Sequence, residues 1–263
     1  MQDYYGSEKT IAAQKRLREM HEDIAGNPAL SNGGRILNIL DLEAVGMDTL
    51  AEHARLFGFA SVTAVPIAET RQRLLDHFGE AVDISVWLAI LGDADSVLPA
   101  CRAVVERFAM PDGWTLTHLD CPTDSEIDQI AALSLACEVA PAPVYYIRSK
   151  VFPHLTSCLW DNTGALVATA AASQRYHPES RFGDAAFAGG VAVSADRRRM
   201  GLGQFINAAV LLESHARFGW NRVLEQARAD NAASRGMIRA CGLREDLDIG
   251  TIAVNLTGEF ITR

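Results

Sequence analysis

Residues 184–219, DAAFAGGVAVSADRRRMGLGQFINAAVLLESHARFG, constrain this chain more than any other stretch. An apolar run ends in Val191-Ala192-Val193, a basic turn follows, and two closely spaced glycines lead into a helical pattern. Phe205, Ile206, Ala209, Val210, Leu212 and Ala216 fall along one broad stripe, and Gly219 stops the helix. The pattern is a strand, an anion-binding loop and a helix. Amides in a first helical turn have no acceptor inside the helix, so a glycine-bearing loop leading into it can offer several donors to a phosphate. A Walker loop would need G-x-x-x-x-G-K, and Gly201-Leu202-Gly203-Gln204 has no such lysine. A dinucleotide fingerprint would need a third glycine where Ile206 stands. What remains is Arg198-Arg199-Met200-Gly201-Leu202-Gly203, an R-x-x-G-x-G loop directly after a strand.

That strand, loop and helix resemble the acyl-CoA-binding motif of the GNAT superfamily of N-acyltransferases, whose pattern is Q/R-x-x-G-x-G/A. The resemblance implies that the backbone of Val191 and Val193 bonds the pantetheine arm. It also implies that Arg198, Arg199, Met200, Gly201, Leu202 and Gly203 hold the pyrophosphate, and that the sheet splays beside this strand. Gly189-Gly190 adds a physical hint, because paired glycines inside a strand mark a bulge or a close backbone approach. Further on, RVLEQARADN reads as a strand, and Asn231-Ala232-Ala233-Ser234 opens a helix closed by Cys241-Gly242-Leu243. This is similar to the family's N-x-x-A/S helix ending in Gly-Phe. By that resemblance Asn231 caps the helix and contacts CoA, while Ser234 lines the cofactor's side. One position departs from the pattern. Where many members carry a tyrosine that protonates the leaving sulfur, this chain has Ile238.

The resemblance covers about residues 113–263. Upstream, the pattern alternates: RILNILD, ASVTAVPI and DISVWLAIL read as strands, with helices at 48–58, 68–79 and 96–108 between and after them. A helix capped by Ser7 and closed at Gly26 precedes them and is expected to be a peripheral arm. The turn residues Met110-Pro111-Asp112-Gly113 suggest a boundary. The expected fold is therefore mixed α/β: a smaller α/β domain at 1–112, then a GNAT-type domain with an antiparallel-rich sheet at 113–263. The run LAEHARLFGFASVTAVP also resembles part of a second, degenerate copy of the same fold.

With 24 Lys and Arg against 33 Asp and Glu, the formal charge of -9 disfavours a nucleic-acid partner. No apolar stretch is long enough to span a bilayer, and the start, MQDYYGSEKT, lacks the order of a signal peptide. Five scattered cysteines without a C-x-x-C pair suggest neither a disulfide framework nor a zinc site, so a reducing cytoplasm is expected.

The expected reaction is acyl transfer, with acetyl-CoA as co-substrate, to a primary amine of a small molecule or peptide, and it requires no metal. Strand alternation puts Glu225 on the same face as Val223 and Ala227, so burial should raise its pKa toward that of a general base. His177, in the segment QRYHPES, is the other catalytic candidate, with Glu179 or ordered water after it. A non-catalytic acyl-CoA-binding or sensor protein is the competing reading, and Ile238 is its best support. Residues 1–112 are expected to shape the acceptor site. Homo-oligomerisation or partner binding through that half is a third reading, independent of both.

Overall fold

The computed structural model describes residues 2–79 and 82–255; residues 256–263 of the expected second domain lie outside them. The first half runs α1 (Glu8–Glu19), α2 (His21–Ala25), β1 (Leu30–Asn32), β2 (Leu37–Ile39), α3 (Leu42–Val45), α4 (Met47–Phe57), β3 (Phe59–Pro66), α5 (Ile67–Phe78), β4 (Asp83–Asp93) and α6 (Ala94–Arg107). The second continues with β5 (Thr115–Leu119), α7 (Asp124–Ala136), α8 (Val144–Ile147), β6 (His154–Trp160), β7 (Leu166–Ser173), β8 (Ala185–Val193), α9 (Leu202–Phe218), β9 (Arg222–Ala227), α10 (Ala232–Ala240) and β10 (Arg244–Asn255).

Local chemistry accounts for many of the boundaries. Ser7 accepts from the Thr10 amide to start α1, and Thr123 and Glu126 form a reciprocal capping box at α7. In the β6–β7 turn Asp161 accepts from the Thr163 and Ala165 amides, and Gly164 takes φ +81°. α4 and α9 both end on a left-handed glycine, Gly58 at φ +84° and Gly219 at φ +65°, each followed by an aromatic residue, Phe59 or Trp220.

All ten strands form one sheet in the order β1-β2-β3-β10-β4-β9-β8-β7-β6-β5. β2 runs parallel to β3 and β8 parallel to β9, whereas every other neighbouring pair is antiparallel. Read outward from the central pair β10 and β4, the two sides repeat one pattern. β2-α4-β3-α5-β4 on one side matches β8-α9-β9-α10-β10 on the other, and each unit places its last strand in the opposite half. This repetition is the arrangement a second copy of the fold, as LAEHARLFGFASVTAVP suggests, would produce. Within it, α4 and its Gly58-Phe59 ending correspond in position to α9 and Gly219-Trp220.

The exchange joins the halves. β4 lies between β9 and β10, and its Leu88 and Ile90 are buried in one cluster with Phe205, Val223, Ile238 and Leu243. The turn at 110–113 is thus a connection within a continuous sheet and core. One sheet face is covered by α4 and α5 and by α6, α9 and α10, with the Phe108 and Phe205 rings stacked at 4.2 Å. α7 and α8 lie on the opposite face, over β6 to β8.

The first helix is no peripheral arm. It breaks at Met20, and Leu17 and Ile24 are buried with Leu37 and Phe57. The Asn32 amide donates to the Leu17 carbonyl at 2.9 Å, and Tyr5 packs with Ile127 and Ile147 of the second half. This segment ties the two halves together on their cavity side.

Candidate active site

β8 differs from its neighbours in what its backbone leaves unpaired. Its parallel pairing with β9 covers Ala185 to Phe187 and ends at the Phe187–Leu224 step. On the other edge the register with β7 shifts between Thr169 and Ala171, which leaves Gly190 and Val191 together opposite Ala170. This is a β-bulge, with Gly189 at φ +154° and Gly190 at φ +66°, backbone that favours glycine. From residue 188 to 193, β8 therefore has an edge that β9 does not cover. Val191 and Val193 are half-buried along this stretch, and the Val193 carbonyl accepts the Cys137 thiol at 3.1 Å.

The chain then turns through a 3-10 segment, Ala195–Arg197, into the loop. Its three arginines have different environments. Arg197 pairs with Asp161 at 3.7 Å and Asp196 at 3.3 Å and lies over the Trp114 ring. Arg198 and Arg199 are exposed and, among the described residues, have no ion-pair partner. Arg199 has φ +65° and Gly201 φ +80°, so the loop curls before Leu202 opens α9. A Cβ at Gly201 would meet nothing within 4 Å, and one at Gly203 would meet only Met237 Sδ at 3.5 Å and Val193 Cγ2 at 3.9 Å. The Leu202, Gly203 and Gln204 amides have no acceptor within the helix. Amides, helix dipole and two unpaired guanidiniums suit a pyrophosphate.

α10 borders this loop through the approach of Met237 to Gly203. Asn231 is exposed, caps α10 by accepting from the Ser234 amide at 3.0 Å, and keeps its own amide protons available; Ser234 is half-buried. Ile238 is 1% exposed and lies in the core. Val193, the start of α9 at Gly203 and, through Met237, helix α10 are therefore neighbours.

Two adjoining cavities open on the opposite sheet face from α9 and share Arg35, Val139, Ala140, Phe187, Gly189 and Gly190 as walls. The larger, about 310 Å³, draws Arg35, Asn38, Phe59, Ser61 and Trp87 from the first half and Glu138, Gln226 and Thr251 from the second. Inside it Gln226 donates to Thr251 Oγ1 at 2.7 Å and Ser61 to Asn38 Oδ1 at 2.8 Å. Glu138 is the one carboxylate among the described residues lining either cavity. The smaller cavity, about 130 Å³, is lined by Arg35, Tyr146, His154 and Arg175.

Glu225 and His177 lie elsewhere. Glu225 is 1% exposed, and strand alternation puts it on the face of β9 opposite Gln226, beneath α9, where it accepts from Asn207 Nδ2 at 2.9 Å. Burial raises its pKa to about 7, against the lowering effect of the Asn207 bond. The expected burial and raised pKa are present, but the carboxylate faces the helices and not the cavities. His177 lines neither cavity; its Nδ1 accepts from the Glu179 amide at 3.1 Å within its own turn. The segment QRYHPES does reach the cleft, through Arg175. Its sequence signal was a basic residue beside Tyr176 at the end of a strand. Arg35, after Gly33-Gly34, carried only the signal of a charge at the start of an apolar run.

Among the described residues no group of His, Cys, Asp or Glu side chains could hold a metal ion, and no helix is long and apolar enough to cross a membrane. A family model described as acetyltransferase (GNAT) family matches residues 126–243. Among solved structures the chain is similar to a GCN5-related N-acetyltransferase from Kribbella flavida, at 14% identity, 95% coverage of this chain and 96% of that one, with a TM-score of 0.59. It is also similar to a tandem GNAT protein from the clavulanic acid biosynthesis pathway, at 14% identity, 86% and 76% coverage and a TM-score of 0.56. A GCN5-related N-acetyltransferase-like protein from Streptococcus suis 89/1591 gives 13% identity, 94% and 99% coverage and a TM-score of 0.55. At these identities the likeness is one of fold. No curated protein matches the sequence.

Proposed function

From the match of residues 126–243 to an acetyltransferase (GNAT) family model, we propose that the protein transfers an acyl group, acetyl by the family's habit, from CoA to an amine held in the cleft. The observation that supports this reading best is the continuity of β8. One strand runs from the Gly189-Gly190 bulge, which walls both cavities, along an uncovered edge to the pyrophosphate-type loop. A CoA laid along that edge would place its thioester, an activated acyl carbon, at the bulge.

In this reading residues 198–203 hold the pyrophosphate, the free edge at Val191 and Val193 orients the pantetheine arm, and Asn231 and Ser234 line its side. Backbone amides at the bulge polarise the acyl carbonyl, and the cavity positions the amine. An amine is protonated near neutral pH and must lose that proton before it attacks. Glu138, at the cavity wall, takes it directly or through water. Glu225 has no route to the cavity and supports α9 from below. The sensor reading draws on Ile238, which supplies no acid to a leaving thiolate. A thiol of ordinary pKa, about 8.5, departs without a strong acid, and a roomy cavity beside the bulge favours transfer.

The test is thiol release from acetyl-CoA against a panel of amines. Amine-dependent release that yields an acylated product supports the transferase. Tight acetyl-CoA binding with release no faster than hydrolysis for every amine supports the sensor.

A further inference from the structure

The smaller cavity contains positive charge with nothing to balance it. Arg35 sits at the tip of the β1–β2 hairpin, where Gly34 takes φ +79° and a Cβ would come 3.1 Å from Pro143 Cδ. Asn32 fixes this tip: it accepts from the Gly34 amide at 2.8 Å, and the Tyr146 hydroxyl donates to its carbonyl. Arg35 is thereby held at the junction of the two cavities. Arg175 enters from the end of β7, its guanidinium 3.6 Å over the Phe187 ring. Among the described residues neither guanidinium has a carboxylate or hydrogen-bond acceptor, and Arg175 Nε is buried. Burial and the like charge of Arg175 push the Arg35 pKa down to about 10, so it stays charged at neutral pH. His154, 5% exposed on the same wall, has both ring nitrogens unpartnered, and burial and Arg175 lower its pKa to about 4, leaving it neutral.

Both arginines are half-buried, and half-buried cations side by side without a counter-charge carry a desolvation and repulsion cost that an anionic ligand would relieve. Guanidiniums are suited to carboxylate and phosphate oxygens, which they bind bidentately. We propose that Arg35 and Arg175 bind an oxyanion of the acceptor, so that the protein acts on amines that also carry a carboxylate or phosphate. The amine would then lie in the larger cavity, toward Glu138 and the bulge. This rests on the transferase reading for its second half, whereas the anion site itself does not.

The experiment is calorimetry on the full chain at low salt, with two matched pairs of probes. One pair is N-acetylalanine and N-acetylalaninamide; the other is O-phosphoethanolamine and ethanolamine. The anionic member of at least one pair should bind about 10- to 100-fold tighter, the range of a charge-assisted hydrogen bond. The pair that discriminates tells carboxylate from phosphate. Arg35→Gln and Arg175→Gln should each erase the preference while leaving acetyl-CoA affinity unchanged. Absence of charge preference in both pairs, or a preference that survives both substitutions, overturns the proposal. If the preference holds but amine-dependent thiol release fails, the transferase reading falls and the anion site stands. The reverse outcome removes the site alone.

Discussion

After β2 and after β8 the chain performs the same manoeuvre with opposite charge. Each strand runs parallel to its partner and leads through a loop and a left-handed glycine into a long helix. After β8 the loop offers Arg198, Arg199 and Gly201, and the strand edge beyond Phe187 is uncovered. After β2 the loop offers Asp41 and Glu43, Gly46 at φ +81° precedes α4, and Asp48 follows in its first turn. Asp41 accepts from the Glu43 amide at 3.0 Å and the Ala44 amide at 3.1 Å, so a carboxylate already occupies donors of the kind a phosphate would need. All of β2 is paired with β3, and no edge is left open. The two halves share a topology, and only the second combines a basic loop with an uncovered strand edge, the features proposed above to hold CoA. Fold supplies the frame, and loop residues decide whether the frame binds.

The largest expected effect follows from the exchanged strands. A chain beginning at residue 113 lacks β4, which leaves β9 and β10 without their common neighbour and opens a core whose buried Leu and Ile side chains are each worth about 1.5–3 kcal/mol. It should show no cooperative unfolding, and co-expression with residues 1–112 should restore it. A fragment that melts alone like the full chain would break the view that the halves depend on each other.

Next come the two carboxylates that the sheet separates. Glu138→Gln should lower turnover by about 10²- to 10⁴-fold, the usual contribution of a general base, with little change in acetyl-CoA affinity. Glu225→Gln should leave turnover within a few-fold. The opposite pair of results would return the base to Glu225.

Glu225→Gln should instead change stability with pH. The folded pKa is raised from 4.5 to about 7, so the native state holds its proton more tightly than the unfolded chain. Stability is unaffected by this group below pH 4.5, falls as pH rises through the window to 7, and carries the full penalty, about 3 kcal/mol, above it. Glutamine cannot ionise, can still accept from Asn207, and can donate to Asn207 Oδ1, which is otherwise unpartnered. Thermal melts should place the variant further above the native protein at pH 8 than at pH 5. A constant difference would mean that Glu225 is ionised in the fold.

The smallest effect is a matched pair of strained glycines. Gly46→Ala and Gly201→Ala both force a side chain into positive φ with open space around it, at about 1 kcal/mol each. Only Gly201→Ala should weaken acetyl-CoA. Equal losses of affinity would mean that both loops bind.

What the sequence made legible was what depends on neighbours along the chain. Helices α4 to α6, α9 and α10, strands β2 to β4, β8 and β9 and the strand-loop-helix at 184–219 all follow from short-range periodicity, caps and glycines. The bulge was foreshadowed by Gly189-Gly190, and the burial of Glu225 by alternation. β1 and β10 carry no such signal, and the exchange of β4 and β10 could not be read, because strand order is set by pairings such as Asn255 with Phe59, across about three quarters of the chain. The same limit hid the cleft. Arg35 and Arg175 come from opposite halves, and nothing near either in sequence marks the other as its neighbour. Alternation placed Glu225 on a buried face without saying which buried face borders the cavity.

The proposal that the second half alone binds CoA is tested most directly by calorimetric titration of the native chain and of Gly203→Glu with acetyl-CoA. A Cβ at 203 has room, and a glutamate there would set a carboxylate against the pyrophosphate, where close like charges cost several kcal/mol. The account predicts one equivalent bound per native chain and loss of about 100-fold or more in the variant, with the melting temperature unchanged. Two equivalents per chain, or native affinity in the Gly203→Glu protein, would contradict it.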